Sequence, residues 1–120
     1  MKVLIVDDEI GVLQSMRYAL DRDFDVQTAT CATEGLGQLR SNQFDILILD
    51  VSMPDCDGIE MLTRVRAEWP DLPVLMLSAD DERQHAARSA GANAWLAKPP
   101  DLVELRVTIQ SLTDSSRGEN

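Results

Sequence analysis

Carboxylate side chains directly follow two apolar runs of this 120-residue sequence. Asp7 and Asp8 come after the run at 3–6, and Asp50 comes after the run at 46–49. Carboxylates held a few ångströms apart raise one another's pKa, so such a group usually binds a cation or keeps a proton. Oxygen ligands favour Mg²⁺, Mn²⁺ or Ca²⁺. If the three side chains converge, we expect a divalent-cation site whose remaining positions suit water and a phosphoryl oxygen.

A hydroxyl group and an ammonium group stand at the ends of two further apolar runs. Ser78 ends one run, and Lys98 follows the run at 94–97. Lys98 would supply a fixed positive charge for a transferred phosphoryl group, and Ser78 would hydrogen-bond with that group. No glycine-rich phosphate loop follows the first run, so a metal must neutralise the carboxylates instead. A carboxylate can attack phosphorus to form an aspartyl phosphate, and the central place of Asp50 makes it the candidate nucleophile.

The apolar runs predict the strands of a parallel α/β sheet that positions these groups. Continuous apolar runs are typical of strands covered on both faces, whereas residues 25–29 alternate as in a strand nearer an edge. With helical spacing between the runs, the order βα repeats five times, which predicts a doubly wound parallel sheet with helices on both faces. Ligands bind beyond the carboxyl ends of such strands, where the polar groups stand. The helical stripes are Leu13, Met16 and Leu20; Ala32, Leu36 and Leu39; Ile59, Leu62 and Val65; and Leu102, Leu105, Ile109 and Leu112.

The length of the chain suits a single domain, which we place at residues 1–112. Asp101 and Glu104 supply an N-cap and an acidic third residue for the last helix, and Gly91 ends the helix before it. Residues 113–120 are polar and aperiodic, so we expect a tail or the start of a linker to an output domain.

Composition and charge narrow the class of protein. The formal net charge of −10 disfavours direct binding to nucleic acid or to an anionic membrane. The first apolar run is too short and too soon followed by charge for a signal peptide or a membrane span, so a soluble cytoplasmic protein is expected. Cys31 and Cys56 lack the spacing of a zinc or dithiol site and are expected to be inert. His85, the only histidine, is expected to be solvated.

Four segments, taken together and in order, carry a resemblance to a known family. The sequence resembles a response-regulator receiver domain of two-component signalling over nearly all of residues 1–112. This resemblance implies a flavodoxin-like sheet with the strand order 2-1-3-4-5, one of the common orders of doubly wound folds. The matching segments are VDDE at 6–9, LILDVSMPDCDG at 47–58, LSA at 77–79 and AWLAKP at 94–99.

The resemblance implies a specific phosphoryl acceptor and metal site. Asp50 would accept a phosphoryl group from a phosphohistidine of a sensor histidine kinase or a phosphotransfer protein. Asp8, Asp50 and the backbone carbonyl of Ser52 would bind Mg²⁺ directly, with Mn²⁺ as a substitute, and Asp7 would assist through water. The domain would catalyse only its own phosphorylation and dephosphorylation, and in other respects it would not be an enzyme.

The resemblance also implies how phosphorylation reaches the surface. Ser78 and Lys98 would contact the phosphoryl group, and Trp95 stands where the family commonly has a switching Tyr or Phe. Ser52 and Asp80 occupy positions that tune phosphoryl lifetime. The fourth helix, fifth strand and fifth helix would form the output or dimer surface, the first helix would dock the kinase, and the bond between residues 98 and 99 would be cis.

Two other functions, and one other metal site, compete with this interpretation. An aspartate-nucleophile phosphohydrolase would share the nucleophile, the metal and the lysine, but such enzymes typically carry D-x-D, and here Ser52 stands two residues after Asp50. A binding module that signals without phosphate would be marked by a missing site residue, and none is missing. A calcium-binding loop fails because alignment on Gly58 places Met53 and Arg64 at ligand positions.

Overall fold

A computed structural model of the chain describes residues 1–53, 55–79 and 81–117. Strands and helices alternate along the chain, as the apolar pattern predicts. The elements are β1 (Lys2–Val6), α1 (Ile10–Leu20), β2 (Asp25–Ala29), α2 (Ala32–Ser41), β3 (Ile46–Asp50), α3 (Gly58–Glu68), β4 (Val74–Ser78), a 3₁₀ turn (Asp81–Arg83), α4 (Gln84–Ser89), β5 (Ala94–Ala97) and α5 (Leu102–Arg117).

The five strands form one parallel sheet in the order β2-β1-β3-β4-β5. This arrangement confirms the predicted fold class and strand order. Asp50 is paired in register with Leu77, and Ser78 is paired with Ala97. The carboxyl ends of β3, β4 and β5 are therefore nearly level, and the residues that follow them meet at one edge of the sheet.

Apolar side chains on the two faces of the sheet form two separate cores. Alternate residues of a strand point to opposite faces, so each continuous apolar run supplies both cores. Leu4 and Leu47 pack with α2 and α3 on one face, whereas Ile5 and Ile48 pack with α1 and α5 on the other. The helices on both faces hold the strands in place and leave the carboxyl ends open for a site.

Helix α3 begins in close contact with the end of β3. The Asp57 carboxylate accepts a hydrogen bond from the Ile59 amide at 2.9 Å and caps the helix. The Gly58 amide donates to the Val51 carbonyl at 2.6 Å, and a Cβ atom at Gly58 would lie 2.7 Å from the Val51 Cα. This approach requires glycine and fixes the loop that follows Asp50.

Other local predictions are confirmed. Asp101 Oδ1 accepts hydrogen bonds from the amides of Val103 and Glu104, at 2.9 and 3.1 Å, and so caps α5. Gly91 has a φ of 110°, a conformation that favours glycine, and follows the end of α4. The Lys98–Pro99 peptide bond is cis.

The last helix continues further than the sequence pattern indicates. Residues 113–117, predicted as the start of a tail, belong to α5, while residues 118–120 lie outside the described part of the chain. Thr113 is only 1% exposed, and its hydroxyl donates to the Ile109 carbonyl at 2.8 Å. A threonine can be buried in this way because its polar group is satisfied within its own helix. Among the described residues, no helix has both the length and the apolar character needed to cross a membrane.

Candidate functional site

Three carboxylates converge at the carboxyl edge of the sheet. Asp7 follows β1, and its amide donates to the Ala29 carbonyl at 3.0 Å, which extends the pairing between β1 and β2. Asp7 is fully buried, Asp50 is 4% exposed and Asp8 is exposed. One oxygen atom from each of the three lies within 4.8 Å of the others. The structure therefore brings together the three side chains that the sequence selected as metal ligands.

Lys98 is the cation that faces this group of carboxylates. Its Nζ atom lies 3.3 Å from Asp50 Oδ2, 3.0 Å from Asp7 Oδ2 and 2.5 Å from Glu9 Oε1, and 9% of its side chain is exposed. Burial alone would lower the pKa of Lys98, but hydrogen bonds and charges from the three carboxylates raise it above its ordinary value. Lys98 thus stays positively charged at neutral pH.

Glu9 was not among the predicted site residues, although it binds Lys98 at the shortest of these three distances. Its position directly after Asp8 is the only sequence signal that favours a role at this edge. About 60% of the Glu9 side chain is exposed, so it lies at the mouth of the site and not in its interior.

The surroundings of Asp50 disfavour its ionised form. Burial, followed by the charge of Asp7, raises the pKa of Asp50 to about 6, and the charge of Lys98 opposes that rise. The Ser52 amide is a weak partner at 3.4 Å from Asp50 Oδ1. Asp50 is therefore mostly ionised at pH 7, and a further positive charge would stabilise it.

The residues present fit a hydrated divalent cation. Asp7 Oδ2 is buried and accepts no hydrogen bond from the described residues, since Lys98 is 3.0 Å away but not aligned as a donor. A buried acceptor left without a donor is costly, and water held by a cation would satisfy it. Asp8 and Asp50 offer the direct carboxylate ligands that Mg²⁺ prefers.

A cavity of about 440 Å³ opens beside Asp50. The predicted residues Asp8, Asp50, Ser52, Ser78 and Lys98 all line it, together with Glu9, Met53 and Ala79. The Ser78 residue is buried, with 4% exposed, so β4 holds it rigidly at the wall. This cavity is large enough for a phosphoryl group and its water.

A larger cavity, of about 750 Å³, lies at the opposite edge of the sheet, among the loops that precede β3 and β4. Among its charged residues, Arg40 and Glu68 pair with each other at 2.8 Å. We assign the functional site to the smaller cavity because unsatisfied carboxylates converge there, whereas this ion pair is already satisfied.

Of two further residues that the resemblance selected, the structure describes Trp95 but not Asp80. Trp95 lies on β5 in register with Met76, is half-buried and packs against the core between the sheet, α2 and α3. Its indole Nε1 is buried without a hydrogen-bond partner among the described residues. Asp80, predicted to tune phosphoryl lifetime, lies outside the described residues.

Two further aspartates fix the loop between β3 and α3, and the sequence reasoning gave them no role. Asp55 accepts hydrogen bonds from the Ala32 and Thr33 amides at 2.9 and 3.1 Å, and these bonds lower its pKa to about 2. Asp57 pairs with Arg83 across 2.5 Å. The position of Asp57 directly before Gly58 is a sequence signal for the cap of α3. The contacts of Asp55 with α2 and of Asp57 with Arg83 have no such signal, because these partners are distant in sequence.

Comparisons with known proteins identify the family of the chain. The family model described as Response regulator receiver domain matches residues 3–110. The chain is 36% identical over 123 residues to Response regulator MprA of Mycobacterium avium, a match that covers 100% of this chain and 54% of that protein. The chain thus spans about half the length of the curated relatives it matches.

Solved structures give the same result for the fold. A CheY-like receiver domain protein from Methanospirillum hungatei superposes with a TM-score of 0.93 at 29% identity, covering 99% of this chain and 98% of that one. The chemotaxis response regulator CheY4 of Vibrio cholerae has a TM-score of 0.86 at 34% identity, covering 92% and 97%. These similarities extend over nearly the whole chain.

Proposed function

Since this chain belongs to the response regulator receiver domain family, we propose that it accepts a phosphoryl group on Asp50 in a Mg²⁺-dependent reaction. The observation that carries the proposal is the placement of Asp50 beside Lys98, with Asp7 and Asp8 within 4.8 Å. An ionised carboxylate on a rigid strand end, facing a fixed ammonium group, is the arrangement that nucleophilic attack on phosphorus needs.

In the proposed reaction, a carboxylate oxygen of Asp50 forms a bond to phosphorus while the bond from phosphorus to the donor nitrogen breaks. The electron pair of that broken bond stays with the donor imidazole. Lys98 offsets the charge that gathers on the phosphoryl oxygens, and Ser78 hydrogen-bonds with one of them. The same residues would serve dephosphorylation, in which water attacks phosphorus and the bond to the Asp50 carboxylate oxygen breaks.

Asp8, Asp50 and the backbone carbonyl of Ser52 would hold Mg²⁺, with Asp7 bound through water. When bound, the ion neutralises part of the carboxylate charge and polarises a phosphoryl oxygen. The buried Asp7 Oδ2, which accepts no hydrogen bond from the described residues, supports this assignment. Mn²⁺ prefers the same oxygen ligands and would substitute for Mg²⁺.

The proposed partners follow from the family and from the length of its members. The donor would be a sensor histidine kinase or a phosphotransfer protein that docks at α1. The target would be an output domain in a longer protein, a separate partner, or a second copy bound through α4, β5 and α5. The greater length of the MprA relatives supports an output domain. A cytoplasmic location is part of the same proposal.

The proposed switch links Asp50 to that surface. A phosphoryl group on Asp50 carries up to about two negative charges in place of the single charge of the carboxylate, and Ser78 would move towards it. Trp95 would respond on the neighbouring strand, while Ser52 and Asp80 would set how long the phosphoryl group lasts.

A small phosphodonor tests the proposal without the kinase. With acetyl phosphate and Mg²⁺, we expect the wild type to form an acid-stable, hydroxylamine-labile adduct, and we expect Asp50→Asn to form none. Asp71→Asn, at an exposed loop position, is the matched control and should label like the wild type. Equal labelling of Asp50→Asn would show that the proposal is wrong. Steady turnover of many phosphate esters per molecule would indicate a phosphohydrolase instead.

A further inference from the structure

One ion pair ties the segment that follows Ser78 to the loop that follows Asp50. Arg83 ends the 3₁₀ turn before α4, and its Nη2 atom donates to Asp57 Oδ2 at 2.5 Å. The side chains of Arg83 and Asp57 are 38% and 33% exposed, so solvent screens the pair in part. This contact joins two stretches of chain that are 26 residues apart.

Asp57 is itself held in place next to Ser52, a residue that lines the cavity. Its Oδ1 atom accepts from the Ile59 amide at 2.9 Å, and its backbone forms an isolated antiparallel bridge with Ser52. Arg83 is therefore attached to a fixed point and not to a loose loop. The fixed point lies on the same short stretch as Ser52, which lines the cavity.

The ion pair closes a ring of chain at one side of the cavity. Strands β3 and β4 are neighbours, and Asp50 is paired with Leu77. The chain leaves both strands at this edge, and the two stretches meet again where Asp57 contacts Arg83. Ser52 and Met53 line the cavity on one side of the ring, and Ser78 and Ala79 line it on the other.

Core packing holds the Arg83 side of this ring weakly. Helix α4 has six residues, of which Ala87 is buried among those described. Helix α3, on the other side, buries four residues. A segment with few buried apolar contacts opens at low cost, so a single ion pair has a large share in fixing its position.

We propose that Arg83 is a positioning residue that fixes the segment after Ser78 relative to the loop that follows Asp50. This inference rests on the proposed function, because it concerns the cavity in which Asp50 would carry that group. An interaction that favours the resting conformation opposes the movement of Ser78 towards Asp50. Removing the ion pair should therefore make the phosphorylated conformation easier to reach.

Titration with beryllofluoride, a phosphoryl mimic, in saturating Mg²⁺ tests the inference. We expect Arg83→Gln to bind the mimic about two- to five-fold more tightly than the wild type, the factor that corresponds to a partly exposed ion pair. The Mg²⁺ affinity measured alone should stay unchanged, because Asp57 keeps its contact with the Ile59 amide and its backbone bridge to Ser52, a proposed ligand, when the Arg83 charge is removed. A purely structural weakening would shift both affinities together.

Three further variants separate the ion pair from general charge and folding effects. Arg83→Lys keeps the charge and should bind the mimic like the wild type. Arg88→Gln removes the same charge from an exposed position of α4 and should also leave the affinity unchanged. Asp57→Asn keeps an acceptor for the Ile59 amide but weakens the ion pair, so it should bind the mimic more tightly, as Arg83→Gln does.

The outcomes distinguish this inference from the proposed function. If the wild type binds the mimic and Arg83→Gln binds it equally or more weakly, the inference alone is overturned. A parallel change in Mg²⁺ affinity would also overturn it. If the wild type does not bind the mimic in Mg²⁺, the proposed function fails and the inference fails with it.

Discussion

Lys98 Nζ lies 3.3 Å from Asp50 Oδ2, although the two residues follow strands that are not neighbours in the sheet. Strand β4 lies between β3 and β5, so the lysine side chain passes across the end of β4 to reach Asp50. Ser78 ends that middle strand. The contact therefore links three strand ends around one cavity, and it gives a buried carboxylate its nearest compensating charge.

Loss of the lysine charge should destabilise the protein. Lys98→Gln would leave Asp7 and Asp50 buried without their cation, and removing one partner of a buried ion pair typically costs about 3–5 kcal/mol. We expect the free energy of unfolding in chelator, measured with urea, to fall by an amount of this order. Mg²⁺ should recover part of the loss. Arg40→Gln breaks an exposed ion pair and should change stability little, so equal losses in the two variants would contradict this prediction.

The raised pKa of Asp50 makes stability depend on pH. Because the folded protein holds this pKa at about 6, above its ordinary value of 3.8, the protonated carboxyl favours folding. That contribution is complete below pH 3.8 and is lost as the pH rises through 6. In chelator, the stability of the wild type relative to Asp50→Asn should fall between about pH 4 and pH 7, by up to about 3 kcal/mol.

Magnesium provides the control for this pH dependence. A bound cation favours the ionised carboxylate, so saturating Mg²⁺ should reduce the difference between wild type and Asp50→Asn at pH 7. Parallel stability curves for the two proteins in chelator, over the whole pH range, would mean that the folded structure does not raise the pKa of Asp50.

Gly58 should tolerate no side chain. A Cβ atom there would lie 2.7 Å from the Val51 Cα, and backbone atoms cannot move away without shifting the loop after Asp50. We expect Gly58→Ala to lower the free energy of unfolding by about 1–3 kcal/mol, as overpacking does. Gly37→Ala in α2, where nothing lies within 4 Å, should instead stabilise the protein by about 0.5–1 kcal/mol. A neutral Gly58→Ala would contradict the close approach of α3 to β3.

Asp55 should act as a cap for a helix to which it does not belong. Its carboxylate accepts from the Ala32 and Thr33 amides at the start of α2, and loss of such a cap typically costs about 1 kcal/mol. Because its pKa is lowered to about 2, this stabilisation is present above pH 3.8 and is lost as the pH falls towards 2. Thermal unfolding of Asp55→Ala should therefore differ from wild type at pH 7 and approach it at low pH, and a constant difference would contradict the assignment.

The sequence predicted the sheet well, and it predicted the site best where a charged or polar residue stands at the end of a strand. The apolar runs located four strands and the alternation at residues 25–29 located the fifth, and parallel strands that end at one edge bring Asp7, Asp50 and Lys98 close together. The order of the strands came from the family resemblance, since a period of apolar residues does not say which strands are neighbours.

Contacts between distant loops could not be predicted in the same way. Asp55 contacts Ala32 across 23 residues of sequence, and Arg83 contacts Asp57 across 26. Such pairs depend on the three-dimensional placement of loops, and each residue type is also common on a solvated surface. The continuation of α5 past Leu112 was missed because Thr113 is polar by type, although its hydroxyl is satisfied by its own helix.

The central claim, that Asp50 carries the phosphoryl group, can be tested at the level of the residue. Reduction of an acyl phosphate with borohydride converts the modified aspartate to homoserine, which peptide mass spectrometry can locate. After treatment with acetyl phosphate and Mg²⁺, we predict homoserine at residue 50, and none after treatment in chelator. Homoserine at Asp7, Asp8 or another aspartate, with residue 50 unmodified, would contradict the account.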